Sequence, residues 1–196
     1  MREYSFFVTR NRRTSLISAT RVARTQGNRK IGGWSIPPRG FVKLNVDASF
    51  DHDLLQGTTG AVLRADKGRF IVGGNWRIDW CDSVLTAEVL ALQFSLFLAQ
   101  KAGCNRFVVN SDNMEVINII KNGGHLAGVA AAVFDACYFL ACDFPRVKFE
   151  HCNREATRVA HEIARLAKFS ATRDWFEEPI KDIIPLLMDD VTIISN

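Results

Sequence analysis

Residues 41–50, FVKLNVDASF, alternate between apolar and polar side chains. A period of two places Val42, Leu44, Val46 and Ala48 on one face of an extended chain and Lys43, Asn45, Asp47 and Ser49 on the other. Such a strand must bury its apolar face against a second layer, and this one carries a carboxylate, Asp47, within it. Two more strand-like runs follow, TTGAVLRA (58–65) and RFIVGGNW (69–76), and the turn-forming Asp66, Lys67 and Gly68 between them predict a β-hairpin. The domain is therefore expected to open with three antiparallel strands.

The hydrophobic period then lengthens. Asp82 or Ser83 can cap a helix in which Leu85, Val89, Leu92, Leu96 and Ala99 recur at helical spacing, and Gly103 ends it. On the adjoining stripe Glu88 lines up with Ala91 and Ser95, small residues that let the helix approach a sheet and aim Glu88 at it. RFVVNSD (106–112) predicts a short apolar strand ending in Asp112, and NMEVINIIKNGG a helix stopped by two glycines. A further helix is expected over 126–142, a strand over RVKFEH (146–151) and a helix over 156–169, so the order is β β β α β α α β α. The longest apolar candidate for a membrane span, LTAEVLALQFSLFLA, carries Glu88 and Gln93 and has helical periodicity. A soluble, monomeric protein without membrane contact is expected.

With 196 residues, 47% of them hydrophobic, the chain can form one full core but not two comfortable ones. The five cysteines are odd in number, show no Cys-x-x-Cys pair and lie in apolar segments, which suits reduced thiols inside a cell. The net charge of +4 conceals a division. Residues 1–40 hold nine Lys or Arg against Glu3 alone, whereas the remaining 156 residues hold sixteen basic and twenty acidic groups. GGWSIPPRG (32–40) interrupts any regular structure, which sets the expected boundaries at a basic arm (1–33), a domain (34–170) and a C-terminal extension (171–196). The arm's composition fits a disordered tail, a phosphate-tracking segment using Arg10, Arg12, Arg13, Arg21 and Arg24, or an organelle transit peptide. Nucleus, cytoplasm and an organelle thus all stay open as locations.

Asp47, Glu88 and Asp112 lie far apart in sequence, each among apolar or small residues. A sheet that gathers them would need cations or hydrogen bonds to offset the cost of burying charge, which makes them a candidate divalent-metal site. Their order belongs to a wider pattern: W-x-x-P-P-x-G-x-x-K-L-N-V-D-A-S-F from Trp34, T-A-E-x-L-A-L around Glu88, S-D-N at Asp112 and H-C-N-R-E-A-x-x-V-A-H-x-I-A from His151. In these residues the chain, from about 34 to 169, resembles a type 1 ribonuclease H domain of the plant, retroelement-derived, reverse-transcriptase-like branch. The resemblance implies an α/β fold: a five-stranded mixed sheet, its first three strands antiparallel, flanked by helices.

The resemblance also implies a chemistry. In active relatives two Mg²⁺ ions held by four carboxylates hydrolyse the RNA strand of RNA/DNA hybrids. Carried over by position, Asp47 bridges the ions, Glu88 and Asp112 complete the site, and His151 aligns with a histidine that assists proton transfer or product release. The chain departs from the pattern at the last helix, where Thr157 and His161 stand in place of an Asn and the fourth carboxylate. An imidazole suits Mg²⁺ poorly and Mn²⁺ better, so His161 is a doubtful fourth ligand. A basic loop found in some relatives is replaced by the short KNGGHLAG. Two readings follow: a weakened endonuclease acting on hybrids, and a non-catalytic domain that keeps the fold and binds nucleic acid (a hybrid or RNA) or protein.

Overall fold

The computed structural model describes residues 5–8, 18–20, 33–123 and 128–195, with the backbone alone at 5–8, 18–20 and 193–195. The expected series appears in order. β3 (Val42–Asp51), β4 (Gln56–Arg64) and β5 (Phe70–Ile78) are followed by α1 (Val84–Lys101), β6 (Arg106–Ser111), α2 (Met114–Lys121), α3 (Val129–Cys142), β7 (Arg146–His151) and α4 (Arg154–Leu166). β1 (Ser5–Val8) and β2 (Ser18–Thr20) precede them, and β8 (Arg173–Phe176) and α5 (Ile184–Ser195) follow.

The sheet has eight strands in the order β2-β1-β7-β6-β3-β4-β5-β8, so the expected count of five is corrected. The central five are as anticipated: β3, β4 and β5 pair antiparallel, while β3 with β6 and β6 with β7 pair parallel. The additions are edge strands, β1 on β7 and β8 on β5, both antiparallel. They are short, three or four residues each, and so carry too few alternations to stand out in sequence. β1 and β2 fall in the expected arm, but Arg10, Arg12, Arg13, Arg21 and Arg24 lie outside the described residues.

Both faces of the sheet are covered, giving three layers. On one face α1 and α3 pack Val89, Leu92, Leu96 and Phe134 onto Leu44, Val46, Leu63 and Val109. On the other, Val159 and Ile163 of α4 with Ile183 and Leu187 of the extension enclose Val62 and Phe70. Among the described residues only α1 is long and apolar enough to cross a membrane; here it is the core helix, with more than half of its span buried in the protein. Its N-cap is Ser83, whose side chain accepts the Thr86 N–H.

The polar face of β3 is buried as deeply as the apolar one. Asn45 and Asp47 are 0% and 4% exposed, and α4 lies over them. That close layer requires Gly60, the β4 residue opposite Asp47. A Cβ at Gly60 would collide with the Ala160 carbonyl oxygen and lie 2.5 Å from the Ala164 nitrogen, so α4 rests directly on the strand backbone.

A fully buried Arg64 then ties the layers together. Its Nη1 donates to Asp190 Oδ2 at 2.7 Å, its Nη2 donates to Asn45 Oδ1 at 3.1 Å, and its guanidinium lies 4.2 Å from the centroid of the Trp34 ring. Trp34 Nε1 also donates to Asn45 Oδ1, and Asn45 Nδ2 donates to the Ala156 carbonyl in the first turn of α4. Arg158 of α4 donates to the other oxygen of Asp190 at 3.0 Å. Asp190, within the C-terminal extension, is thus the counter-charge for two arginines of the domain.

Removing one member of a buried ion pair strands the other's charge. Asp190→Ala is expected to cost about 3–5 kcal/mol in denaturant unfolding followed by tryptophan fluorescence. Alanine at the exposed neighbour Asp189 should stay within about 0.5 kcal/mol. Gly60→Ala should cost roughly 1–3 kcal/mol in the same assay by forcing α4 off the sheet.

Candidate metal centre

The parallel ladder between β3 and β6 ends at the pair Asn45 and Asn110. Asp47 and Asp112 each lie two residues beyond that pair, where the strands part. Parallel strands leave a crevice at their carboxyl ends, and ligand sites form there because backbone and side chains converge without closing the gap. Glu88 enters from the second turn of α1. One carboxylate oxygen from each of Asp47, Glu88 and Asp112 lies within 4.8 Å of the others.

Local structure holds each group in place. The Ser111 hydroxyl accepts the Asn113 N–H, and Asn113 Oδ1 accepts the Val116 N–H as the N-cap of α2, so Asp112 sits in a short, clamped turn. The Cys152 N–H donates to the Ser111 carbonyl, and His151 Nε2 lies 3.1 Å from the Asp112 carbonyl oxygen. His151, predicted as a catalytic residue, therefore stands at the rim, bound to the backbone of Asp112 rather than to its carboxylate. His161 Nδ1 is 2.7 Å from Asp47 Oδ2. The structure thus brings His161 to the site as the hydrogen-bond partner of Asp47, while the gathered ligand set consists of the three carboxylates.

Burial and mutual repulsion act on these acids together. Glu88 is pushed up to about 9, by burial first and then by Asp47 and Asp112. Its Oε2 is buried without a hydrogen-bond partner. Asp47 is also raised by burial and by Asp112, although its hydrogen bond to His161 opposes the rise. His161 is raised in turn, chiefly by that bond. An orphaned carboxylate oxygen beside two further carboxylates fits a hard divalent cation, which would replace the proton that burial and repulsion otherwise retain on Glu88.

Residues 45–167 match the family profile described as reverse transcriptase-like. The chain belongs to the reverse transcriptase-like family. Within this family setting its fold is that of ribonuclease H. It matches the RNase H1 of the archaeon Halobacterium salinarum at TM-score 0.62 and 20% identity, over 67% of this chain and 100% of that one. LC11-RNase H1, solved in complex with an RNA/DNA hybrid, matches at TM-score 0.58 and 17% identity, over 63% of this chain and 94% of that one. In sequence the reverse transcriptase-like domain is 28% identical over 136 residues to a provisionally named ribonuclease H protein of Arabidopsis thaliana. The matched stretch is 69% of this chain and 22% of that protein, so the chain spans about a fifth of that relative's length.

Two site residues of this reverse transcriptase-like domain escape a reading of the sequence. Arg154, at the start of α4, acts electrostatically on both Asp47 and His161, but nothing local sets it apart from other surface arginines. Gly60 seats α4, and hence His161, over Asp47; a glycine inside the strand-like TTGAVLRA was a usable signal of close backbone approach.

The pH dependence of the metal-free protein follows from Glu88. Its folded-state value, about 9, lies above the ordinary 4.5, so between these values the folded state binds a proton that the unfolded chain releases. Stability should therefore fall as pH rises from about 5 to 9. Glu88→Gln should flatten the slope in melting curves recorded with chelator.

Proposed function

We propose that this chain is a metal-dependent ribonuclease H-type domain that cuts the RNA strand of RNA/DNA hybrids, at a rate reduced by the exchange of the fourth carboxylate for His161. The observation that carries this reading is the three-carboxylate cluster, with its unpartnered, buried Glu88 oxygen, at the fork between β3 and β6. Family membership and the ribonuclease H fold support it.

Asp47, Glu88 and Asp112 would hold the ion. When bound, a divalent cation lowers the pKa of water and neutralises charge building on the phosphate. The chain's own residues supply positioning. His161 fixes the rotamer of Asp47 through the hydrogen bond between Nδ1 and Oδ2, and the turn at Asn113 fixes Asp112. Arg154 adds positive charge that acts on Asp47 and His161. His151 stands beside the cluster, its Nε2 against the backbone carbonyl of Asp112. The basic arm would supply phosphate contacts that the net acidic remainder lacks.

A second reading, a non-catalytic nucleic-acid-binding domain, draws on the engagement of Asp47 by His161. Cleavage of a labelled RNA/DNA hybrid separates the two. Turnover is expected in Mn²⁺ and less in Mg²⁺, with Asp47→Asn lowering it at least ~100-fold and His161→Asp raising the Mg²⁺ rate. A wild-type protein silent in both metals that still binds the hybrid would select the second reading.

A further inference from the structure

We infer that His161 fills the place beside Asp47 that a second cation would need, so that the centre takes a single divalent ion, held by Asp47, Glu88 and Asp112. The inference rests on the metal-dependent reading above but makes a separate claim about how many ions bind. Two-ion phosphodiesterase sites set their cations roughly 3.5–4 Å apart, and hard cations such as Mg²⁺ take oxygen ligands. Here His161 Nδ1 and Asp47 Oδ2 share a hydrogen bond of 2.7 Å. While Asp47 is ionised its carboxylate only accepts, so Nδ1 carries the hydrogen, and that hydrogen occupies an Asp47 oxygen for which a second ion would have to compete.

The backbone of α4 cannot readily withdraw the ring. It rests on Gly60 and is tied to β3 by the bond from Asn45 to the Ala156 carbonyl. Nor does α4 offer a replacement acid. Glu155 is exposed and turned towards Arg158, and Glu162 is engaged by Arg165 at 2.6 and 2.9 Å. Arg154 adds a fixed positive charge against Asp47, which further disfavours another cation. Among the described residues the ligand set therefore closes at three carboxylates, and Glu88 Oε2 is the buried oxygen still lacking a partner in it. His161 is accordingly a positioning residue, acting on the reaction through Asp47.

The test counts ions without relying on turnover. Mn²⁺ is titrated into the full chain and into His161→Asp by calorimetry and electron paramagnetic resonance, each with and without a phosphorothioate RNA/DNA hybrid. The wild type should bind one ion with a mononuclear signal in both conditions, and His161→Asp should bind two that are spin-coupled. Two ions in the wild type, or one in the variant, would overturn the inference. Absence of any Mn²⁺ binding by the folded wild type would instead bring down the metal-dependent reading on which it rests. A second measurement needs no variant: ring ¹⁵N spectra of His161 during Mg²⁺ titration. The Nδ1–H bond to Asp47 should persist at saturation, and a shift marking direct ligation of either ring nitrogen would refute it.

Discussion

Three carboxylates gathered at a fork in a sheet repel one another, and burial adds to the cost of charging them. The rest of the structure is arranged around holding them there. The β3–β6 ladder brings Asp47 and Asp112 level, α1 carries Glu88 in, and the turn at Ser111 to Asn113 prevents Asp112 from swinging out. Gly60 lets α4 close over the site from the opposite face, with His161 reaching Asp47. Each element is anchored by its own apolar contacts, so the repulsion is met by a proton on Glu88 rather than by movement apart.

A second electrostatic cluster within about half a strand of the first gives the contrast that identifies each. Around Arg64, opposite charges and aromatic surface match: Asp190 meets Arg64 and Arg158, and Asn45 Oδ1 accepts from both Arg64 and Trp34, although the Nε atoms of the two arginines have no hydrogen-bond partner. The charges of that cluster are paired within the chain, and it binds α4 and α5 to the sheet. The cluster at Asp47 is all acidic apart from His161 and Arg154 at its edge, and it leaves a buried oxygen without a partner. Buried charges paired with opposite charges inside the chain point to architecture, whereas buried like charges gathered together point to a ligand. Asn45 and Asp47, two residues apart on one strand face, belong to the two clusters, so the stability of one bears directly on the geometry of the other.

Much of the central fold was legible because it depends on periodicity. The alternation in 41–50, the hairpin signal at 66–68 and the helical spacing from Leu85 to Ala99 each correspond to an observed element. The edge strands were not legible, because three or four residues paired at one register carry little pattern of their own. The role of the extension was hidden for a different reason. Arg64 and Asp190 are 126 residues apart, and no local feature of either marks a buried pair. At the site, the order of Asp47, Glu88 and Asp112 drew attention to all three, and His161 stood out against the family pattern as a missing ligand. That it hydrogen-bonds Asp47 could not be read from its position in the chain.

The sequence by itself determined the inventory: which segments alternate, which coil, and which acids occur in a spacing that a ribonuclease H-like sheet brings together. These follow from short-range rules of side-chain period and turn chemistry, which act over a few residues. Tertiary structure alone decided the relations: that both faces of β3 are buried, that α5 supplies the counter-charge to Arg64, that Glu88 is left without a partner, and that His161 takes one oxygen of Asp47. Those relations depend on distances between residues remote in sequence, and such distances are set only when the layers have packed.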